Sequence, residues 1–356
     1  MNVLTVVGNR PQFIKAAAVS APLRRSHAEV LIHTGQHFDE ELSGVFFDEL
    51  GLPSPARQLG IARGSNTSQV ARMLAALEPV IAEVDPDVVL VYGDTNSTLA
   101  GALAGAEARV PVVHVEAGMR SFDRTMPEEL NRVLADHAST LLLCSSELAA
   151  ENLRREGVSG FIELVGDVMV DVAMNVQPGA RTRLDLVRAH GLTPGDYVLA
   201  TAHRGGTVDD PARLGRLVEL LLAVPYPLLV PLHPRTHARL RSGGLLERLQ
   251  RSERITVTPP LGYLELTALL CNAHAVMTDS GGLQKEAYLA GVRCITLRSR
   301  TEWVETVEMG WNTLVDLDVG AALEALEREL PPERPQLYGD GHASERVVAA
   351  LTLHLG

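Results

Sequence analysis

The stretch Ala275-Val-Met-Thr-Asp-Ser-Gly-Gly-Leu-Gln-Lys-Glu286 decides the fold prediction, because it joins three kinds of structure in one short segment. Its apolar start predicts a buried strand, its small polar middle a tight turn, and its end a helix that stops at Gly291. A strand that enters a helix this way presents unpaired N–H groups and the positive end of the helix dipole. That arrangement suits a phosphate or diphosphate, although an ordinary strand–helix turn capped by Ser280 would have the same sequence.

The bulk composition indicates a globular protein of two domains. The chain has 356 residues, of which 46% are hydrophobic and 21% charged. The net charge of −12 argues against a nucleic-acid partner, for which a basic field is expected. Cys144, Cys271 and Cys294 are far apart and in apolar surroundings, which favours buried thiols in a reducing compartment. No apolar run could span a bilayer, and Met1–Val7 predicts a first strand rather than a signal peptide, so we expect a cytoplasmic protein without a membrane partner.

Short apolar runs alternate with helical segments along the whole chain. This repetition predicts an α/β fold of two doubly wound parallel sheets. A looser composition at Asn175–Ala180 predicts the linker, so that residues 1–174 form the first domain and residues 181–342 the second. The predicted strands are Val3–Val7, Glu29–His33, Val88–Tyr92, Pro111–Val115, Leu141–Cys144, Tyr197–Ala200, Leu228–Pro231, Ile255–Thr258, Ala275–Met277 and Cys294–Leu297.

Three carboxylates occupy the places where parallel sheets put catalytic groups. Asp94 and Glu116 directly follow predicted strands, and Glu128 opens a predicted helix. Neighbouring carboxylates push each other's pKa values apart, which suits proton transfer. Each also has a structural alternative: a turn for Asp94, an ion pair with Arg120 for Glu116, and a helix-dipole contact for Glu128.

Cationic groups follow other predicted strands. Arg10 and Lys15 lie after the first strand, and the second half contributes His203, Arg204, His233 and Arg235. His233 precedes a proline, which favours a structural role. The two lysines of the chain, Lys15 and Lys285, both fall in candidate binding segments. No spacing of histidines and carboxylates indicates a metal site, and no G-x-G-x-x-G follows the first strand, so a nicotinamide cofactor is not indicated.

Seven segments in this order resemble the non-hydrolysing UDP-N-acetylglucosamine 2-epimerases over nearly the whole chain. They are Gly8-Asn-Arg-Pro-Gln-Phe-Ile-Lys15, Thr34-Gly-Gln-His37, Tyr92-Gly-Asp-Thr-Asn-Ser97, His114-Val-Glu-Ala-Gly-Met-Arg120, Pro127-Glu-Glu-Leu-Asn-Arg132, Thr201-Ala-His-Arg204 and Asp279-Ser-Gly-Gly-Leu-Gln-Lys-Glu286. The resemblance implies a glycosyltransferase-B-like pair of Rossmann-like domains facing a cleft, with the last helix, residues 343–356, joined to the first domain. It also implies a homodimer and no cofactor.

The resemblance further implies interconversion of UDP-GlcNAc and UDP-ManNAc. UDP leaves C1 by anti elimination as the C2 proton is removed, and it returns to the bound 2-acetamidoglucal with protonation of C2 on the other face. By motif, Asp94, Glu116, Glu128 and His203 are the catalytic candidates. The substrate-binding candidates are Arg10, Lys15, Arg132, Ser280, Gly281, Gly282 and Glu286, with His203 also near the diphosphate and Glu286 at the ribose. Gln36 and His37 resemble part of an effector site for UDP-GlcNAc.

Some positions depart from the family pattern. Gly206-Thr207 stands where Glu-Asn is common, and Asn9 and Gln12 replace Thr and Glu. Gln12, Lys285 and Thr301-Glu-Trp-Val-Glu305 resemble relatives that epimerise UDP-2,3-diacetamido-glucuronic acid. Two other classes stay open: a glycosyltransferase that uses a UDP-sugar, and a non-catalytic UDP-sugar sensor.

Overall fold

The computed structural model describes residues 1–36 and 51–356, which divide into two compact units. The first unit comprises Met1–Val172 and Tyr338–Gly356, and the second comprises Ala173–Leu337. Among the described residues, no helix is both long enough and apolar enough to cross a bilayer.

The first unit is built on a seven-stranded parallel sheet with the order β3-β2-β1-β4-β5-β6-β7. Its strands are β1 (Asn2–Val7), β2 (Ala28–His33), β3 (Arg57–Gln58), β4 (Val88–Tyr92), β5 (Val112–Ala117), β6 (Leu141–Cys144) and β7 (Phe161–Leu164). Its helices are α1 (Arg10–Leu23), α2 (Asn66–Val84), α3 (Asn96–Glu107), α4 (Pro127–Ala138), α5 (Glu147–Glu156) and, after an excursion through the second unit, the last helix of the chain. The order of the strands reverses between β1 and β4, which is where sheets of this kind place their ligands.

The second unit repeats this design with a six-stranded parallel sheet of order β10-β9-β8-β11-β12-β13. Its strands are β8 (Val198–Thr201), β9 (Leu228–Pro231), β10 (Ile255–Thr258), β11 (Ala275–Thr278), β12 (Arg293–Thr296) and β13 (Asn312–Leu314). The helices from α6 onward are α6 (Val168–Thr182), α7 (Leu184–Ala189), α8 (Gly205–Val208), α9 (Pro211–Ala223), α10 (Pro234–Ser242), α11 (Leu246–Gln250), α12 (Tyr263–Cys271), α13 (Gly281–Ala290), α14 (Val304–Glu308), α15 (Val319–Glu327) and the last, α16 (Ala343–Leu355). Here the order reverses between β8 and β11.

Alternate strand residues of the second sheet enter two separate apolar cores. Val198 and Ala200 belong to one buried cluster, whereas Leu199 belongs to the other. The same alternation places Met277 in the first cluster and Val276 in the second. Because successive strand side chains point to opposite faces, this sheet is covered by helices on both sides.

The predicted linker is not a loose segment. Asn175–Ala180 lies inside α6, and the division between the units falls in that helix after Val172. Pro178 sits within the helix, and Ala180 is buried in the core of the second unit. The loop-like composition of this stretch was therefore overridden by burial of Gln177 and Ala180, which lie one helical turn apart.

The last helix belongs to the first unit. The carboxylate of Asp171 accepts hydrogen bonds from Ala343 N at 3.1 Å and Ser344 N at 2.7 Å. These bonds satisfy the first N–H groups of α16, and α16 packs on α1. The predicted start of the helix at Ala343 agrees with the structure.

Candidate active site

The turns after β1 and β4 meet at the switch point of the first sheet. Gly8 lies so close to α3 that a Cβ there would fall 2.0 Å from Ser97 Oγ. The buried side chain of Gln12 accepts from Gly8 N at 2.7 Å and donates to Tyr92 O at 2.8 Å. The position that departs from the family pattern thus ties the two turns together.

Asp94 follows Gly93, whose φ of 64° is in the left-handed region that glycine tolerates. Its Oδ2 lies 2.5 Å from Arg132 Nη2, and Asn131 Nδ2 donates to its main-chain carbonyl at 3.1 Å. Burial raises the pKa of the Asp94 carboxyl above its ordinary value, and the nearby charge of Glu116 acts in the same direction, although Arg132 opposes both. A carboxyl group with a raised pKa beside a cation is equipped to exchange a proton.

Glu116 is held in an unusual backbone conformation. Its φ is 71°, and the pairing of β5 with β6 shifts register between Val115 and Ala117, so Glu116 is the extra residue of a bulge. The bulge turns its carboxylate towards Lys15, with which it forms an ion pair; both side chains are 12% exposed. A non-glycine residue in this region stores strain, and such strain is concentrated at functional sites.

The strain at Glu116 leads to a prediction about stability. Replacing Glu116 by glycine or by alanine removes the partner of Lys15 equally, but only alanine keeps a Cβ in the left-handed conformation. We expect the glycine variant to be the more stable of the two by about 1 kcal/mol. Urea unfolding followed by far-ultraviolet circular dichroism would measure the difference. Equal midpoints for the two variants would show that the left-handed conformation of residue 116 is not strained.

The two adjacent glutamates of α4 have different surroundings. Glu128 is exposed in the first turn, and its charge contributes to the raised pKa of Asp94. Glu129 is 4% exposed; its carboxylate accepts from Ser121 N, Ser121 Oγ and Phe122 N at 2.8 to 3.0 Å. Glu129 therefore organises the loop before α4. The sequence does not predict this role, because two adjacent glutamates look equivalent at the start of a helix.

Arg10, Gln36 and His37 are the remaining candidates of the first unit. Arg10 is the first residue of α1 and is partly exposed. Gln36 Oε1 accepts from Ser97 N at 3.0 Å and from Ser97 Oγ at 2.7 Å, so this amide binds the start of α3. His37, predicted to share an effector site with Gln36, lies outside the described residues.

In the second unit, the stretch that decided the fold prediction forms the expected strand, turn and helix. Ser280 is the N-cap of α13, and its Oγ accepts from Leu283 N at 3.4 Å. The fully buried Asp279 accepts from His203 N at 3.0 Å and from Arg204 N at 2.9 Å. Asp279 thus joins the two turns at the switch point between β8 and β11. Asp279 belongs to the motif quoted above, but nothing in its sequence context predicts this role.

Arg204 reaches the first turn of α13. Its Nη2 donates to Glu302 Oε1 at 3.0 Å, and a Cβ on Gly281 would lie 2.9 Å from that same oxygen. Burial raises the pKa of Glu302, but the charges of Arg204 and Arg298 outweigh this effect and lower it. A guanidinium beside the N-terminus of a helix suits a diphosphate.

The other candidates of this unit surround the same helix end. The side chain of His203 is 40% exposed, and its Nδ1 lies 3.6 Å from Asp279 Oδ1. Gly282 is exposed, and Glu286 is partly exposed on α13. Lys285 is buried, with Nζ 4.5 Å from the centre of the Trp303 ring. His233 caps α10 by accepting from Arg235 N, in agreement with the predicted structural role.

The crowding at Gly281 allows a prediction about nucleotide binding. Replacing Gly281 by alanine should displace Glu302 and with it Arg204, which lies at the turn where the resemblance predicts a diphosphate. We expect the Kd for UDP, measured by titration calorimetry, to rise about tenfold. Gly215→Ala is the matched control, because a Cβ there meets nothing within 4 Å. Unchanged affinity in the Gly281 variant would argue against this turn as the diphosphate site.

Comparison with known proteins identifies the family. A family model described as UDP-N-acetylglucosamine 2-epimerase matches residues 22–352. The chain belongs to the UDP-N-acetylglucosamine 2-epimerase family. The predicted family and the predicted class of enzyme, an isomerase, are thereby confirmed.

The relatives match this chain over nearly its full length. A UDP-N-acetylglucosamine 2-epimerase homolog of Methanococcus maripaludis is 43% identical, with 99% of each chain covered. The UDP-2,3-diacetamido-2,3-dideoxy-D-glucuronate 2-epimerase of Pseudomonas aeruginosa is 44% identical, again with 99% of each chain covered. The solved structure of the Methanocaldococcus jannaschii UDP-GlcNAc 2-epimerase with UDP-GlcNAc and UDP has a TM-score of 0.92 and 39% identity, and covers 99% of this chain and 100% of that one. The predicted fold class, two Rossmann-like doubly wound domains, is confirmed.

Proposed function

We propose that this epimerase interconverts UDP-GlcNAc and UDP-ManNAc by inverting C2. The observation that carries the proposal is the arrangement of Asp94 and Glu116, two carboxylates at the end of one parallel sheet, each paired with a buried or nearly buried cation. Family membership supplies the reaction class, and the arrangement supplies the groups that such a reaction requires.

The reaction needs proton transfer at C2 and departure of a leaving group at C1. A carboxylate accepts the C2 proton, and the electrons of that C–H bond form the C1–C2 double bond as the C1–O bond to UDP breaks. UDP takes the electron pair of the broken bond, leaving 2-acetamidoglucal. Protonation of C2 on the opposite face and return of UDP to C1 complete the inversion. Asp94, Glu116 and Glu128 are the proposed acid and base groups.

We assign the diphosphate to the second unit. The N-terminus of α13, with Ser280, Gly281 and Gly282, offers N–H groups to the anion, and His203 and Arg204 lie at the adjacent turn. Glu286 is proposed to bind the ribose, and Arg10, Lys15 and Arg132 to supply cations from the first unit. The ion pair of Lys15 with Glu116 adds a second role for this lysine, which is to hold that carboxylate in place.

A second candidate substrate is UDP-2,3-diacetamido-glucuronic acid. The relative from Pseudomonas aeruginosa carries that activity in its name, and its 44% identity is as high as that of the archaeal homolog. The segment Thr301–Glu305, which resembles the relatives with this activity, contacts the diphosphate turn: Trp303 Nε1 donates to Gly281 O at 2.8 Å, and Thr301 Oγ1 donates to Gln284 Oε1 at 2.6 Å. The predicted alternatives of another class, a glycosyltransferase or a UDP-sugar sensor, would give no epimerisation of a UDP-sugar alone.

Incubation with UDP-GlcNAc and, separately, with UDP-2,3-diacetamido-glucuronic acid in heavy water tests the proposal. We expect deuterium at C2 of both UDP-GlcNAc and UDP-ManNAc, observed by proton NMR as loss of the C2 signal. Product that forms without deuterium at C2 would exclude proton exchange with solvent during elimination. The ratio of kcat/KM for the two candidate sugars assigns the substrate, and UDP binding without turnover of either would favour the sensor.

On the basis of the family, we further propose the roles of the domains, the location of the protein, its oligomeric state and an effector. The first unit, which includes the last helix, is proposed to be the acid–base domain, and the second unit is proposed to be the UDP-binding domain. The protein is proposed to act in the cytoplasm as a homodimer, with UDP-GlcNAc as an effector near Gln36. Sedimentation velocity with and without UDP-GlcNAc would measure the oligomeric state.

A further inference from the structure

We propose that His114 is a positioning residue, a buried imidazolium that fixes the turns carrying Asp94 and Glu116. The inference rests on the proposed function, because it assigns a role in that reaction to a group that touches none of the reacting atoms. It starts from His114 itself, which lies on β5 and is fully buried.

Both ring nitrogens of His114 face oxygen acceptors. Nδ1 lies 2.7 Å from Asp136 Oδ1, and Nε2 lies 2.6 Å from the main-chain oxygen of Gly93. A carboxylate and a carbonyl oxygen can only accept, so each nitrogen must donate. A histidine that donates from both nitrogens is an imidazolium, and the adjacent carboxylate of Asp136 compensates its charge.

The bond to Gly93 acts on Asp94 through the main chain. Gly93 is in the left-handed conformation and is the residue before Asp94. A donor fixed on its carbonyl oxygen restrains the peptide plane that joins the two residues. The ring of His114 therefore sets the direction in which the chain leaves β4 and presents the Asp94 carboxyl.

The bond to Asp136 acts on the other side of the site. The Asp136 carboxylate also accepts from Gly118 N, at 3.2 Å to Oδ2, and from Arg120 Nη1 at 2.7 Å. Gly118 lies two residues after Glu116, so this carboxylate anchors the chain just beyond the bulge. Asp136 itself is on α4, the helix that carries Glu128 and Arg132.

The charges around the ring come from three elements. Asp136 faces it from α4, Arg120 lies behind Asp136 after β5, and Glu156 of α5 forms two bonds with the Arg120 guanidinium, at 2.8 and 2.6 Å. Burial raises the pKa of the Cys144 thiol on β6 to about 12, and the charge of Asp136 acts in the same direction, so this neighbour stays neutral. Hydrogen bonds run from Gly93 through His114 and Asp136 to Arg120. They connect the turn that carries Asp94, the chain just beyond Glu116 and the helix that carries Glu128.

The first test measures catalysis. His114→Gln retains a polar side chain but cannot donate to both acceptors. We expect kcat to fall about 10- to 100-fold, the range expected when catalytic groups are slightly misplaced, with KM and the Kd for UDP changed less than about twofold. His342→Gln is the matched control in the same unit, because His342 is an exposed residue that contacts Glu345 at 3.3 Å. A kcat of the variant within twofold of the unmodified enzyme would overturn the proposal.

The second test observes the ring in the unmodified protein. With nitrogen-15-labelled histidine, both ring nitrogens of His114 should show directly bonded hydrogens at neutral pH, without substrate. A signal from an unprotonated ring nitrogen of His114 would overturn the proposal even if His114→Gln failed to fold. This readout does not depend on turnover, so it separates failure of the inference from failure of the proposed epimerase reaction, which the heavy-water experiment reports.

Discussion

Replacing Asp94 by asparagine is expected to lower kcat for C2 epimerisation by about 10²- to 10⁴-fold, the range typical of losing a general acid or base. Asparagine keeps the size of the side chain and can still accept from Arg132, so the turn after β4 should persist. What the variant loses is the capacity to take up or release a proton. Because the diphosphate is assigned to the second unit, we expect the Kd for UDP to change less than about threefold.

The same strand provides a control for this experiment. Asp87 lies just before β4, at the opposite end from Asp94, and its Oδ2 accepts from Asn2 N at 2.7 Å. Asp87→Asn should therefore leave kcat unchanged. Deuterium uptake at C2 from heavy water should fall together with kcat in the Asp94 variant alone. If Asp94→Asn retains more than about a tenth of kcat, Asp94 does not transfer the proton.

The same measurements of kcat and deuterium uptake apply to the other two candidates, Glu116 and Glu128. Glu116→Gln removes a charge that Lys15 compensates, whereas Glu128→Gln removes one that is exposed. Replacing either of two carboxylates that serve opposite faces of C2 should stop epimerisation. A variant that still deprotonates one epimer should nevertheless exchange deuterium into that epimer. Following exchange separately in UDP-GlcNAc and UDP-ManNAc would assign each carboxylate to its face.

Sequence patterns predicted the parts of the fold that depend on local periodicity. The strand Ala275–Met277, the cap at Ser280 and the stop at Gly291 all follow from neighbouring residues, and the structure has them. The stretch Asn175–Ala180 misled the prediction because its turn-forming residues are exposed while positions one helical turn apart are buried. Tertiary burial decided the conformation there, and that information is not local.

The sequence placed the candidate residues on their strands and turns, but it could not predict their pairings. Glu116 was expected just after a strand, yet β5 continues through it as a bulge in the left-handed conformation. Its partner Lys15 is 101 residues away in sequence, and no spacing rule relates them. His114 was quoted in a motif without a role, because two acceptors on one ring become visible only when β4, β5 and α4 are placed together.

The largest effect on stability is expected from Asp136. Replacing Asp136 by asparagine removes a fully buried carboxylate that compensates His114 and Arg120, and leaves their donors facing an amide. Breaking a buried ion pair from one side typically costs about 3–5 kcal/mol, and we expect the free energy of unfolding of the first unit to fall by that amount at pH 7. The control is Glu83→Gln, which breaks an exposed pair with Arg57 and should cost less than about 1 kcal/mol.

The effect of Asp136 should also depend on pH in a defined direction. Burial opposes ionisation, but the hydrogen bond and charge of His114, together with Arg120, outweigh it and lower the pKa of Asp136 below its ordinary 3.8. A carboxylate with a lowered pKa stabilises the folded state above the unfolded-state pKa, and this contribution is lost as the pH falls through the folded-state pKa. The difference between the unmodified protein and Asp136→Asn should therefore be constant near neutrality and shrink below about pH 4.

The measurement must report on the first unit alone. Trp303 and Trp311, the two tryptophans of the chain, both lie in the second unit, so tryptophan fluorescence should show an unchanged transition in the Asp136 variant. Native-state hydrogen exchange of the amides in β4 and β5 should show faster opening. Faster exchange in β11 and β12 to the same extent would mean that the substitution acts on the whole chain rather than on the buried charges beneath Asp94 and Glu116.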